Sequence, residues 1–289
     1  MKISQSSLRR RKIIQGAGFT LLTLIALVTI VPILLVLGYI IFRGLPAISW
    51  TFLTEFPSNG LKSGGIYPAI IGTVLLTFVT TLLAVPFGVG AAIYLAEYAQ
   101  DNRLTRAIRI AIINLAGIPS VVYGLFGLGA FVIFLNLGVS MAAGALTLAI
   151  MTMPVVISAS EEALRAVPQA FRVVNYSLGG TRWQGIRRIV LPQALPGIMT
   201  GVILGIERAA GETAPILFTA AVITQPGLPD SILSPVMALP YHLYTISTQV
   251  PGMPESMQYG TALVLLVFVL GLNAIATFIR YRARSRRQW

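Results

Sequence analysis

Six runs of apolar residues, near 17–42, 67–95, 107–135, 138–160, 194–223 and 257–280, leave this chain few ways to fold. A helix of about 20 residues crosses the roughly 30 Å hydrocarbon core of a bilayer. In lipid every backbone amide and carbonyl must be satisfied within the protein, which a helix does alone. The expected fold is an all-α membrane protein with six transmembrane helices. Only 10% of the 289 residues are charged and mean hydropathy is +0.82. A soluble domain averages about 25% charged residues, so no soluble catalytic domain is expected.

Charge placement fixes the expected orientation. Lys2, Arg9, Arg10, Arg11 and Lys12 precede the first span, which is too long for a signal peptide and is read as retained. Arg103, Arg106 and Arg109 fall in the 96–109 connection, and Arg165, Arg172, Arg182, Arg187 and Arg188 in the 161–192 loop. Arg280, Arg282, Arg284, Arg286 and Arg287 close the chain. In a six-span arrangement all of these lie on one side, leaving Arg43 and Lys62 opposite and Arg208 inside the membrane. The positive-inside rule makes that side, and both termini, cytoplasmic. The net charge of +12 is then a matter of topology rather than of nucleic-acid binding. The chain divides into a basic tail 1–16, a membrane domain 17–280 containing the 161–192 loop, and a basic tail 281–289.

The most expensive residues sit in the fifth run, in Gly205-Ile206-Glu207-Arg208-Ala209-Ala210-Gly211-Glu212. The apolar stretch extends from about Leu195 to Ile223, which puts Arg208 almost at its centre. Each such charge costs roughly 2.5 to 3.5 kcal/mol at mid-membrane, so these side chains should face protein or a water-filled path. Residues four apart share a helix face, which pairs Arg208 with Glu212 and turns Glu207 toward a neighbouring helix. Pro215 removes an amide that Gly211 would bond, so a helix break is expected beside the charges, as at transporter sites. A guanidinium suits tetrahedral oxyanions because it is planar, permanently charged and bidentate. Arg208, Glu212, Glu207 and Thr213 are therefore candidates for a substrate pathway, with Thr219, Ser120 and Tyr123 as possible lining. A buried clamp that fixes helix geometry is the alternative for Arg208 and Glu212, and the two roles can coexist.

The 161–192 loop has its own pattern. Pro168 fits the first turn of a short helix, and Ala170, Phe171, Val174 and Leu178 recur at helical spacing. Gly179-Gly180 ends that helix, and a second amphipathic piece containing Trp183 leads to Leu191-Pro192. Such a unit needs either a partner protein or an anionic lipid surface to cover its apolar face. His242, the one histidine, reads as a solvated residue of an external loop.

No Gly-x-x-x-x-Gly-Lys-Ser/Thr loop occurs, so ATP cannot be held in the P-loop manner. There is no His-Glu-x-x-His, and without cysteine there is neither a disulfide nor a thiolate ligand.

The spacing of Gly179, nine residues, then Ile189-x-Leu191-Pro192 resembles the cytoplasmic "EAA" loop of permeases in ABC importers. Where that family has Glu-Ala-Ala this chain has Val173-Val174-Asn175, and Glu161 and Glu162 lie too early to replace the acid. Gly72-Thr73-Val74-Leu75-Leu76, Pro86 through Tyr98, and Ala116 through Gly124 resemble permeases of phosphate-specific importers. The string Arg208-Ala209-Ala210-Gly211-Glu212-Thr213-Ala214-Pro215-Ile216-Leu217-Phe218-Thr219-Ala220 is similar to their A type (PstA). The resemblance spans about residues 66–280. It implies a type I ABC permease fold in a bacterial or archaeal inner or plasma membrane. It also implies a second, PstC-like permease, a PstB-like ATPase dimer binding ATP and Mg, and a PstS-like extracytoplasmic binding protein. No cofactor is then expected on this chain. Pro168, Phe171, Arg172, Leu178, Gly179, Trp183, Leu191 and Pro192 would couple it to the ATPase. Two alternatives remain open at this level: another oxyanion, or a proton-coupled transporter in which Glu207 or Glu212 carries protons.

Overall fold

A computed structural model describes residues 5–285. Twelve helices follow one another among these residues: α1 Gln5–Gly44, α2 Trp50–Thr54, α3 Tyr67–Ile93, α4 Arg103–Ala116, α5 Ser120–Gly127 and α6 Met141–Arg165. After them come α7 Gln169–Ser177, α8 Arg182–Gly185, α9 Leu191–Gly211, α10 Ala214–Thr219, α11 Leu239–Thr248 and α12 Glu255–Ser285. A two-residue hairpin, β1 Pro57–Ser58 and β2 Ser63–Gly64, pairs antiparallel between α2 and α3. The basic tails are largely helical extensions of α1 and α12, while residues 1–4 and 286–289 lie outside the described residues.

Five helical stretches have the length and apolarity of a span: 14–47, 67–98, 141–165, 182–211 and 255–282. A sixth is made of two helices, Arg103–Ala116 and Ser120–Phe134, that meet at 101°. The expected single span over 107–135 is thus bent sharply, and Gly117-Ile118-Pro119 is the reason. Pro119 has extended backbone and caps α5, because a residue preceding or occupying a proline position leaves helical geometry readily.

The fifth span also differs from its apolar run. Helix ends at Gly211, Glu212 is extended, and α10 restarts with Pro215 in its first turn. The hydropathy of 195–223 continues through this break, but the backbone does not. At the other end the helix starts early: α8, a π turn at Ile186–Val190 and α9 run on as one stretch from Arg182. Leu191 and Pro192 therefore lie inside a continuing helix rather than at its entrance.

Helices α3, α6 and α9 form the centre of the bundle. The α6–α9 contact is a seam of small residues. A Cβ added at Gly197 would lie 2.5 Å from Ala163 Cβ, and one at Gly201 2.5 Å from Ala159 Cβ. At Gly205 it would lie 2.9 Å from Val156 Cγ2. Spacing of four residues places these glycines on one face, where small side chains let helices approach closely in a membrane. Around the seam Ala92, Leu95, Val156, Leu164, Val190, Ala194 and Ile198 form one buried cluster. A second cluster under α10 gathers Leu76, Tyr123, Leu148, Met151, Ile216 and Val236. By contrast α1 has an outer surface of exposed leucine, isoleucine and valine, as a lipid-facing helix should.

Candidate functional site

Arg208 occupies the last turn of α9, where its charge suits the negative end of the helix dipole. Its Nε lies 3.5 Å from Oε1 of Glu212, the residue whose extended backbone ends the helix. The side chains are 29% and 19% exposed, so this is a loose, half-open pair. Glu207 points the other way, into an apolar cavity of about 150 Å³ between α9 and α12 lined by Met199, Ile203, Leu272 and Ile275. One carboxylate oxygen there is buried without a hydrogen-bond partner.

The break thus brings Arg208, Gly211, Glu212, Thr213 and Pro215 together, at a helix end instead of mid-helix. Among the hydroxyls proposed as lining, Thr219 donates to Pro215 O at 2.8 Å and Tyr123 to Leu115 O at 2.8 Å. Both are buried and spent on backbone. Thr213 and Ser120 are half-buried beside the break and at the start of α5.

The loop folds as a helix–turn–helix. Pro168 caps α7, and Gly179 adopts φ +75, the left-handed geometry that glycine tolerates after a helix. Thr181 and Gln184 form a capping box that starts α8. Val173, Val174, Tyr176, Leu178 and Trp183 are exposed. Asn175, standing at the end of the substituted Glu-Ala-Ala triplet, is buried instead. Its Nδ2 donates to Thr181 O at 3.1 Å and to Gly180 O at 3.4 Å, closing the turn.

Arg172, one of the residues the resemblance assigns to ATPase coupling, is tied into the protein. It faces inward, because a carboxylate and the freed carbonyls at the end of α6 offer it better partners than water. Its Nη2 lies 2.6 Å and its Nε 3.2 Å from the two oxygens of Glu97, in the π turn Tyr94–Tyr98 that extends α3. It also donates to Val167 O at 2.7 Å and Leu164 O at 3.0 Å. Arg182 on α8 donates to the backbone carbonyl of Glu97 and sits 4.9 Å over the Tyr98 ring. Beside this cluster Arg109 bonds Glu161 at 2.8 Å and Leu95 O at 3.0 Å, and Arg165 bonds Glu161 at 2.9 Å. Sequence reasoning gave Glu97 no role; 75 residues separate it from Arg172, so no local spacing could reveal the pair.

His242 departs from the sequence reading as a solvated loop residue. It lies on α11 and is 3% exposed, with both ring nitrogens buried and lacking a hydrogen-bond partner. Burial pulls its pKa down to about 4, so it is neutral near pH 7. The spacing Leu239, His242, Ile246 puts it on the buried face of a short helix rather than in a solvated loop.

Residues 84–288 match the family described as the inner membrane component of binding-protein-dependent transport systems. The phosphate transport system permease protein PstA 2 of Mycobacterium bovis is 37% identical over 97% of this chain and 91% of its own length. PstA 1 of Mycobacterium tuberculosis is 35% identical over 96% of this chain and 91% of its own. Among solved structures, a bacterial ABC transporter that imports the acidic polysaccharide alginate aligns with a TM-score of 0.66. That match has 15% identity and covers 96% of this chain and 99% of the other. At that identity the likeness speaks for the fold.

Proposed function

We propose that this chain, which belongs to the family of inner membrane components of binding-protein-dependent transport systems, is the A-type permease of an ATP-driven phosphate importer. The chain is a multi-pass protein of the plasma membrane and has the type I ABC permease fold. It is a transport component; its family works with a separate ATPase and a substrate-binding partner. The finer assembly belongs to our reading: a PstC-like second permease, a PstB-like ATPase dimer holding ATP and Mg, and a PstS-like binding protein outside. The same reading puts both termini and the 161–192 loop in the cytoplasm, following the basic residues.

One observation carries the site assignment. The Arg208 guanidinium stands at a helix break, partly exposed, with its carboxylate partner at 3.5 Å. A passing phosphate can exchange with Glu212 for that guanidinium, making charge-assisted, bidentate hydrogen bonds. Glu207, Arg208 and Glu212 together carry −1 when ionised, so tight binding needs positive charge from elsewhere, and the second permease is its source in this reading. A weak transit site favours throughput, because an ion held too tightly does not leave. Thr213 adds a hydroxyl at the break, and Gly211 with Pro215 keeps the helix open there.

Coupling runs through the loop. Pro168 and Gly179 set the two ends of α7. Leu178 and Trp183, with Val173 and Val174, present exposed apolar surface to the ATPase, while Phe171 packs on the bundle side. Leu191 and Pro192 carry the movement into α9.

The test is uptake of inorganic phosphate into vesicles holding the whole complex, with ATP supplied and the proton gradient collapsed. Uptake should persist; its loss would transfer the work to Glu207 or Glu212 as proton carriers. In the same vesicles Arg208→Gln should abolish uptake while the subunit still assembles and binds the ATPase. Normal uptake by that variant would remove Arg208 from the pathway.

A further inference from the structure

Both arms of the coupling loop converge on one residue outside it. Glu97 takes Arg172 of α7 on its two carboxylate oxygens, at 2.6 and 3.2 Å, and takes Arg182 of α8 on its backbone carbonyl. The carboxylate is 6% exposed and the Arg172 side chain 15%, so the link is shielded from water and salt. The same guanidinium reaches the carbonyl of Leu164 in the last turn of α6 and that of Val167 just beyond it. One side chain therefore joins the end of α6, the loop helix and the end of α3.

We infer that Glu97 is the positioning residue through which movement of the coupling loop is delivered to α3, beside the covalent route through α8 and α9. Apolar contact is non-directional and lets surfaces slide. A two-point Arg–carboxylate link fixes distance and orientation together, so it transmits pull as well as push. The π turn that carries Glu97 bonds Ala99 N to Tyr94 O at 2.8 Å and aims the carboxylate back into the loop. Such single-turn π segments recur at functional positions in helices. The outer face of the loop, where Val173, Val174, Leu178 and Trp183 are exposed, stays free for the motor while the inner face is held here. Position 173 is valine, so Arg172 has no acidic neighbour there to compete with Glu97.

The inference rests on the transport reading above, and its test separates the two. Whole complexes are reconstituted, and inorganic phosphate moved per ATP hydrolysed is measured for wild type, Glu97→Gln and Glu97→Asp. With Glu97→Gln the ratio should fall about tenfold, within the usual span of couplings between sites, while hydrolysis continues. Glu97→Asp, which keeps the charge on a shorter arm, should fall between. The chain has no cysteine, so spin labels on introduced cysteines at Gln100 and Ser177 report the α3–loop distance directly. That distance should hold through the nucleotide cycle in wild type and widen in Glu97→Gln. An unchanged ratio, a proportional loss of hydrolysis and uptake, or identical distances in both proteins would overturn the role of Glu97. A wild-type complex that hydrolyses ATP without moving phosphate would overturn the transport reading itself, and this inference with it.

Discussion

Two arginine–glutamate pairs organise this protein, and they are built to opposite specifications. Arg172 and Glu97 meet at two points, nearly dry, with two backbone carbonyls taking further donors of the guanidinium. Arg208 and Glu212 meet at one point, 3.5 Å apart, and both retain access to solvent-sized space. A pair of the first kind holds its geometry; one of the second kind can be parted by a visiting anion. The difference lies in what else each arginine touches. At the loop, the ends of α6 and α3 supply acceptors around one side chain. At the break, the chain turns away after Gly211 and leaves the guanidinium with a single carboxylate as ion-pair partner among the described residues.

That contrast can be broken experimentally, and the largest effect should come at the loose pair. Arg208→Gln should lower phosphate uptake by about a hundredfold or more, the scale of losing a preorganised charge at a reacting or passing anion, with assembly intact. Stability should rank the pairs the other way. Truncating one partner of Glu97–Arg172 should cost about 3 to 5 kcal/mol, because a shielded charge is left alone. A double-mutant cycle on Arg208–Glu212 should return under about 1 kcal/mol, as for partly exposed pairs. Thermal unfolding of the purified complex measures both, and equal coupling energies would erase the distinction.

Gly201 lies on the helix that joins the two regions. Gly201→Val forces a side chain into Ala159 across the α6–α9 seam, and overpacking of this kind costs about 1 to 3 kcal/mol. It should lower stability and uptake together, unlike Arg208→Gln. The smallest effect is expected at His242, which contrasts with both pairs in having no partner at all for its ring nitrogens. Its folded pKa of about 4 lies below the ordinary 6.5. The neutral form is therefore favoured by folding, and its stabilisation is complete above the ordinary value and lost as pH falls from there toward 4. The loss should be on the order of 1 kcal/mol near pH 5.5. A His242→Leu protein should lose this part of the acid sensitivity, visible as a flatter melting temperature against pH.

The two pairs were not equally legible in the sequence. Arg208 and Glu212 are four residues apart, and helical periodicity alone joins them. Their loose geometry followed from a break that proline chemistry announces, but hydropathy hid where the helix stops: apolar residues continue past Gly211 to Ile223 while the backbone does not. The six apolar runs were readable for the same reason that the 101° bend at Pro119 was not; composition counts residues and is blind to direction. Arg172 looked like one more basic residue of the loop. Its partner stands at the end of a different span, in a string that stands out only by resemblance, and only folding brings them within reach. His242 was misread through its rarity, although the apolar residues three before and four after it already marked a buried helical face.

The helical stretch from Arg182 to Gly211 has a further consequence. Thirty residues at 1.5 Å each make a shaft of about 45 Å, with Trp183 near one end and Arg208 near the other. Under the function proposed above, a tilt given at the Trp183 end is carried along the helix toward Arg208. Two soft points lie on the shaft, the π turn at Ile186–Val190 and Pro196 inside α9, and Glu97 braces the shaft before both. A stroke that slipped there would burn fuel and leave the valve shut.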